Sequence, residues 1–384
     1  MLQTYINAHI LDGLGNDIVK GTLLIEDEHI LQVGEEIDLP PNVSIYDCHG
    51  DYITPGFIDV HTHLGVHKAG GGEEGRDFNE TSEPVTPHIR AIDGVNPMER
   101  AFQDARESGV TTVQIMPGSA NVIGGEMAIF KTAGHIVDEM IVKSPSGMKG
   151  AFGENPKRIY SGKKMAPVTR MGIAALMRQT LMKARDYQFR KEKGEILERD
   201  LRMEQLLPVL KKEIPLRTHA HRADDIMTAI RIADEFKINV TIEHCTEGHL
   251  IADKLAEHGV QVSVGPTMST RSKVELADKG YHTMVALEKH GVPFSITTDH
   301  PVVGIDYLTT TAAHAIKHGL SEVTALKALT SQAARHLSIE AMKGSLEKGK
   351  DADFVIWSGH PFDVYTTVKE TFIEGKSVYK HTSS

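Results

Sequence analysis

The sequence predicts an α/β chain: a (β/α)8 TIM barrel carried between two β-rich termini. Three observations predict it. Strand-like and helix-like runs alternate across the middle of the chain, from about residue 55 to 339. The first fifty residues and the tail from residue 340 lack that alternation and hold short apolar runs broken by Gly, Pro, Asn and Asp. Several strand-like runs end in histidine or an acid. Alternating β and α elements suggest a parallel sheet. About eight repeats over this length suit a barrel, which typically takes about 250 residues. An open doubly wound sheet is the alternative, but no Gly-rich dinucleotide loop follows the first strand.

The elements follow in order. TYINAHILDG, GTLLIEDEHILQVG and NVSIYDCHGDYITPG are strand and turn material at the start, and GSLEKGKDADFVIWSG and TFIEGKSVYK are similar at the end. The opening barrel strand lies in ITPGFIDVHTHLG, residues 53–65. Further strand candidates are GVTTVQIM, IVDEMIVKS, GMKGAF, IPLRTHAH, INVTIEHC, GVQVSVGP and VPFSITTDH. Helical patterns separate several of them, as in PMERAFQDARESG, ADDIMTAIRIADEF and EGHLIADKLAEHG. Residues 157–213 interrupt the rhythm with a basic loop and one or two long charged helices. This insertion can cover a site, carry a subunit contact in a homo-oligomer, or simply form a solvated face.

Composition narrows the function classes. The chain has 384 residues, 40% of them hydrophobic, enough for a large core. A formal net charge of −10 gives no reason to expect nucleic acid or an anionic membrane as partner, and a small-molecule substrate is expected instead. Two cysteines, Cys48 and Cys245, imply no disulfide framework. The start lacks a basic region followed by an apolar one, and no apolar run is long enough to span a bilayer. A cytoplasmic location is the expectation.

The chemistry concentrates at strand ends, which converge on one mouth of a barrel. Side chains two apart on a strand share a face. Phe57, Asp59, His61 and His63 therefore face one way, and Ile58, Val60 and Thr62 the other. The later strands end in His219 and His221, in Glu243, His244 and Cys245, and in Asp299 and His300. The same alternation puts Val240, Ile242 and His244 on one face and delivers His244 inward. It also puts Asp299 on the polar face of Ser295 and Thr297. GMKGAFGENP adds Lys149 and Glu154, which face opposite ways in an unbroken strand. Imidazoles with carboxylates suit zinc, iron, manganese or nickel.

PGFIDVHTH at the first strand, THAH, IEHCTEGH and TTDHP, in this order, resemble the metal-dependent amidohydrolase superfamily, in its imidazolonepropionase-related branch. The tail GSLEKGKDADFVIW resembles the returning β segment of that family, so the likeness covers nearly the whole chain. The resemblance implies a small β-sandwich formed by both chain termini, residues 1–54 and 340–384, around a catalytic barrel over 55–339. It implies one or two divalent metal ions at the barrel mouth, zinc first. His61, His63 and Asp299 would hold the more buried ion. His219 and His244 would hold the second or complete a mononuclear site. The fourth strand of binuclear relatives supplies a carboxylated lysine or a glutamate as bridge. Glu154 is the expected residue, because it precedes Asn-Pro and needs no modification, with Lys149 the alternative. His219 is preferred to His221 as ligand, and His221 is assigned to substrate contact.

This resemblance implies hydrolysis of a C–N bond in a cyclic amide, an amidine or a related small molecule. The attacking group would be a metal-activated hydroxide, and Asp299 the proton shuttle. A metal-dependent dipeptidase acting on a linear amide is the alternative. A non-catalytic relative would have lost ligands, and a nucleotide-binding redox protein lacks its glycine fingerprint. Asp59 is either an acid orienting a ligand imidazole or a structural turn contact. His88 and Arg90, in the Gly-rich loop after the first strand, and Arg158 and Arg222, near later strand ends, are candidate substrate contacts. Met116, Met127 and Met165 are expected to pack.

Overall fold

The computed structural model describes residues 1–195 and 198–382. Residues 196 and 197, inside the expected helical insertion, and the last two residues of the tail lie outside the described residues.

Two eight-stranded sheets carry the architecture. The first is built from both chain ends. It takes β1 (Leu2–Leu11), β2 (Asp17–Glu26), β3 (His29–Gly34), β4 (Ser44–Asp47) and β5 (Tyr52–Pro55) from the start. The order in the sheet runs from the three C-terminal strands through β5, β1 and β2 to β3, with β4 also paired to β1. Its core gathers Tyr5, Leu23, Ile25, Ile53, Phe354 and Phe372. Phe354 and Phe372 stack with centroids 4.3 Å apart, and Tyr5 meets both edge-on. Each such aromatic contact adds about 1 kcal/mol beyond its buried area.

The second sheet is the barrel. Its strands are β6 (Phe57–Thr62), β7 (Val110–Ile115), β8 (Ile123–Lys131), β9 (Ile141–Ala151), β10 (Leu216–Ala220), β11 (Val240–His244), β12 (Gln261–Val264) and β13 (Phe294–Ile296). The chain then returns to the first sheet as β14 (Phe354–Trp357), β15 (Val368–Ile373) and β16 (Lys376–Lys380). Barrel strands lie side by side in chain order, and a parallel bridge from Thr62 to His300 joins the first strand to the segment after the last. Strand formation follows burial: every residue of β6, β7 and β10 is buried. Continuous apolar or hydroxyl-bearing runs are what a sheet covered on both faces requires.

One strand departs from the expected pattern. β8 runs antiparallel to both neighbours. Only residues 116–122 separate β7 from β8, too few for the crossover of roughly a dozen residues that parallel pairing needs. The sequence reading placed two strands in IVDEMIVKS and GMKGAF. Instead Val137–Met140 forms a helical turn, and one long strand runs from Ile141 through the Ser-Pro-Ser-Gly segment to Ala151. The missing strand is IGGEMAIFK, whose paired glycines look like a turn in sequence.

Helices cover the barrel. Ala223–Phe236 buries Ile226, Ala229, Ile230 and Ala233, the i, i+3, i+4, i+7 stripe that defines a core-facing helix, and ends at Lys237 in the left-handed conformation. Between β9 and β10 the insertion forms helices Glu154–Gly162 and Arg170–Glu192 and two short turns of helix. Thr169 caps the long helix by accepting from the Gly172 N–H. That helix is charged outside, but Ile173, Met177, Leu181 and Ala184 join the main core. Truncating a side chain as buried as Met177 to alanine costs about 2–5 kcal/mol.

Candidate metal centre

Five imidazoles and one carboxylate meet at the C-terminal ends of the barrel strands. β6 delivers His61 and His63, β10 delivers His219 and His221, β11 ends in His244, and Asp299 follows β13. His219 and His244 ring centroids are 4.4 Å apart, His61 and His244 4.6 Å, and His221 and His244 4.7 Å. Asp299 Oδ1 lies 3.2 Å from His63 Nε2 and 3.5 Å from His61 Nε2.

His244 reaches this centre by a route that simple alternation does not give. In β11 the inward face carries Thr241 and Glu243, since Glu243 touches His61, Ser263 and His336 inside the barrel. Ile242 packs into the main apolar core instead. Continued alternation would send His244 outward with Ile242. The chain breaks step here: His244 has φ 76° and Cys245 φ 47°, both left-handed. Asp299 is also left-handed, at φ 53°. Such conformations cost about 1 kcal/mol or more in a residue with a side chain and persist only when neighbours enforce them.

Those neighbours also fix ring orientation. His244 Nδ1 donates to the Gly265 carbonyl at 2.7 Å, and His63 Nδ1 to the Met116 carbonyl at 2.8 Å. His61 Nδ1 lies 3.2 Å from Glu243 Oε2. With Nδ1 committed as donor, Nε2 of each ring keeps a lone pair, the second-layer arrangement seen around metal-binding histidines. His221 Nδ1 shares a hydrogen bond with Thr246 Oγ1 at 2.7 Å. Asp59 touches no imidazole side chain. Its carboxylate accepts from the His61 and Thr298 N–H groups and from the Thr297 and Thr298 hydroxyls, so it clamps β6 to the segment that presents Asp299.

Burial keeps His61, His219, His221 and His244 neutral. It pushes His61 down to about 3, helped by the Lys149 charge and resisted by Glu243, and takes His244 to about 4. His219 and His221 are held well below the usual range by burial and by neighbouring imidazoles. Burial opposes the Asp299 charge, yet the close approach of His63, His244 and His61 outweighs it and holds this carboxyl below the usual carboxylate range. Lys149 is fully buried in β9, with Nζ 3.3 Å from His61 Nε2 and 3.0 Å from Met116 Sδ. Burial brings its pKa down to about 8, against the pull of Glu243 and Asp299.

Beside the cluster lies a cavity of about 550 Å³. His63, His219, His221 and Asp299 form its floor, and Phe78, Arg158, Met268 and Lys273 stand among its walls. Of the candidate substrate contacts, Arg158 and His221 line it. His88, Arg90 and Arg222 do not. Arg222 forms a two-bond pair with Asp224, and Arg90 with Asp93. His88 stands half-buried outside the lining. The sequence reading did not anticipate Lys273 or Glu275, which enter on a turn after β12. Glu275 is buried, with Oε1 3.9 Å from His219 Nε2, 3.8 Å from His221 Nε2 and 3.8 Å from Lys273 Nζ.

Residues 52–378 match the amidohydrolase family model. The chain belongs to the amidohydrolase family. An amidohydrolase from Thermotoga maritima MSB8, known from its crystal structure, is 44% identical, with a TM-score of 0.96 over 99% of this chain and 100% of that one. The amidohydrolase tasK of Hapsidospora irregularis is 27% identical over 94% of this chain, which spans only 40% of that protein's length. An imidazolonepropionase of Legionella pneumophila (strain Lens) is 25% identical over 93% of this chain and 92% of the relative.

The residues of this amidohydrolase fit a metal. Ligand atoms of His61, His244 and Asp299 lie within 4.8 Å of one another, as do those of His219, His221 and His244. His219 Nδ1 is buried without a protein partner. Neutral imidazoles with one carboxylate form a borderline donor set suited to zinc and similar divalent ions. Glu154 is not part of the set. The strand stops at Ala151, and Gly153, at φ 84°, turns the chain so that Glu154 opens a helix. A Cβ on Gly153 would lie 2.7 Å from Glu275 Oε2, the atom that accepts the Glu154 N–H. Lys149, on β9, instead brings its Nζ beside His61. Both His219 and His221 reach the cluster.

Proposed function

We propose that this amidohydrolase hydrolyses a C–N bond in a small cyclic amide or amidine that carries an anionic group. The observation that carries this reading is the lone-pair nitrogens of His61, His63 and His244 brought together against the Asp299 carboxylate. His61, His63 and Asp299 would hold one divalent ion, and His244 with His219 or His221 a second. Lys149, as amine or as its carboxylated form, would add to this set beside His61. When bound, the metal supplies Lewis-acid polarisation and a water acidified to near neutrality.

The chain's own groups do the rest. Asp299, ionised and facing the cavity, accepts a proton from water at Oδ1 and returns it to the leaving nitrogen. Lys273 and Arg158 give one wall of the cavity positive charge, which orients an anionic substituent away from the reacting bond. Phe78 offers a flat apolar surface to a ring. The relatives named imidazolonepropionase favour the cyclic form of the substrate.

The test is Asp299→Asn, assayed against cyclic amide carboxylates and N-acyl amino acids with metal content measured alongside. Turnover should fall by about 10²–10⁴. Unchanged turnover with metal retained would remove Asp299 from proton transfer. Hydrolysis by the native enzyme of linear amides alone would replace the cyclic substrate class.

A further inference from the structure

A second group of metal-ligand side chains meets away from the barrel mouth. His249 lies on the turn Gly248–Ile251 after β11, Asp278 in the segment after β12, and His282 opens the helix His282–Lys289. Their ligand atoms lie within 4.8 Å of one another. The two rings meet edge to face with centroids 4.3 Å apart. His249 Nε2 is 2.9 Å from Asp278 Oδ2, and His282 Nε2 is 3.7 Å from Asp278 Oδ1.

Hydrogen positions here are constrained. The Thr283 hydroxyl donates its single hydrogen to the Thr246 carbonyl at 2.9 Å. The same oxygen lies 3.0 Å from His249 Nδ1, so it accepts there and Nδ1 carries the hydrogen. Nε2 of a neutral His249 then turns a lone pair onto a carboxylate that has only lone pairs. A cation held by both groups would relieve that pairing, and His282, whose pKa burial and the neighbouring His249 lower, would offer it a second imidazole. Gly280 leaves room for the second ring: a Cβ there would lie 2.5 Å from His282 Nδ1.

We propose that His249, Asp278 and His282 form a second, peripheral site for a divalent cation of zinc type. Ligand atoms in a tetrahedral zinc site lie about 3.3 Å apart, between the two separations found here. Half-exposed Asp278 and His282 leave the fourth position to water. The site ties the turn after β11 to the segment after β12. That segment carries Lys273 to the cavity and Glu275 beside His219 and His221, and is already held by Lys279, which donates to the Ser269 and Thr270 carbonyls. Its role is to fix one wall of the substrate cavity, apart from the chemistry at the centre.

The experiment uses the full chain, stripped with chelator and dialysed against Zn²⁺. Zinc per chain is measured for the wild type, Asp278→Asn, His282→Asn and, as control, His61→Asn, with hydrogen exchange followed over residues 266–281. The two peripheral variants should each bind one zinc fewer than wild type and lose zinc-dependent protection of that segment. His61→Asn should keep the protection. Equal zinc in wild type and both peripheral variants, or protection that survives both substitutions, would overturn the proposal.

Discussion

Glu243→Gln is the perturbation that bears most directly on how the centre is preorganised. The native carboxylate accepts from the Thr241 hydroxyl at 2.9 Å and the Ser263 hydroxyl at 2.5 Å, and stands 3.2 Å from His61 Nδ1 and 3.3 Å from His336 Nε2. It is fully buried, yet the fields and hydrogen bonds of His336 and His61 outweigh burial and hold its pKa well below the usual range. Glutamine keeps the shape but must turn an N–H₂ toward one pair of these donors. If the amide nitrogen faces His61, that ring must accept at Nδ1, and its hydrogen moves to Nε2, the atom that faces Asp299. The lone pair needed for a metal is then lost. Removing such an orienting partner weakens metal binding by about 10–100-fold, or about 1.4–2.7 kcal/mol. Loss of a charge-assisted buried hydrogen bond should also lower folding stability by about 2 kcal/mol. The assay is zinc affinity by chelator competition on folded protein, with urea unfolding in parallel. Affinity within threefold of native, on a protein that folds normally, would refute the claim that Glu243 sets the His61 tautomer.

Three further outcomes are expected. Lys273→Met should raise KM for an anionic substrate by about 10–100-fold and leave kcat little changed, since it removes a charge that binds the substrate without touching the reacting bond. Equal loss of kcat would place Lys273 in the chemistry instead. Lys343, buried between Asp351 and Asp353 at 2.7 Å from each, has its pKa raised because these carboxylates outweigh burial. Its raised folded pKa means that its stabilisation is fully present below the free lysine value of 10.5 and fades as pH rises through the higher folded value. Lys343→Met should therefore cost about 3–5 kcal/mol in urea unfolding at neutral pH, and that deficit should shrink in strong alkali. A deficit that stays constant through strong alkali would contradict the sign. Met177→Ala should cost about 2–5 kcal/mol, because its side chain fills space between the insertion helix and the barrel; a cost under 1 kcal/mol would show that the helix is only loosely docked.

Much of this arrangement is legible in the sequence for a simple reason. Barrel strands end at one mouth, so HTH, THAH, EHC and TTDH each announce a side chain of the cluster by position alone. The parts that escaped depend on local backbone or on tertiary contact. His244 arrives inward through two left-handed residues that no alternating pattern reveals. Glu154 looked like a strand-end carboxylate, but the turn at Gly153 swings it onto a helix, while Lys149 two residues before the strand end remains inside. The antiparallel β8 was hidden by paired glycines and a short connection. Arg90 and Arg222 looked available until Asp93 and Asp224, only two or three residues away, took them up. Glu243 was visible at its strand end, but its role as the His61 partner needs a contact 182 positions away in the chain.

The most direct test of the central claim is metal content per chain for wild type, Lys149→Ala and Glu154→Ala, each loaded identically, with His282→Asn in the background so that only central metal is counted. A centre built on Lys149 predicts that Lys149→Ala loses metal while Glu154→Ala binds as much as wild type. Loss in Glu154→Ala with full metal in Lys149→Ala would contradict that assignment, and no metal in any of the three proteins would contradict the metal centre itself.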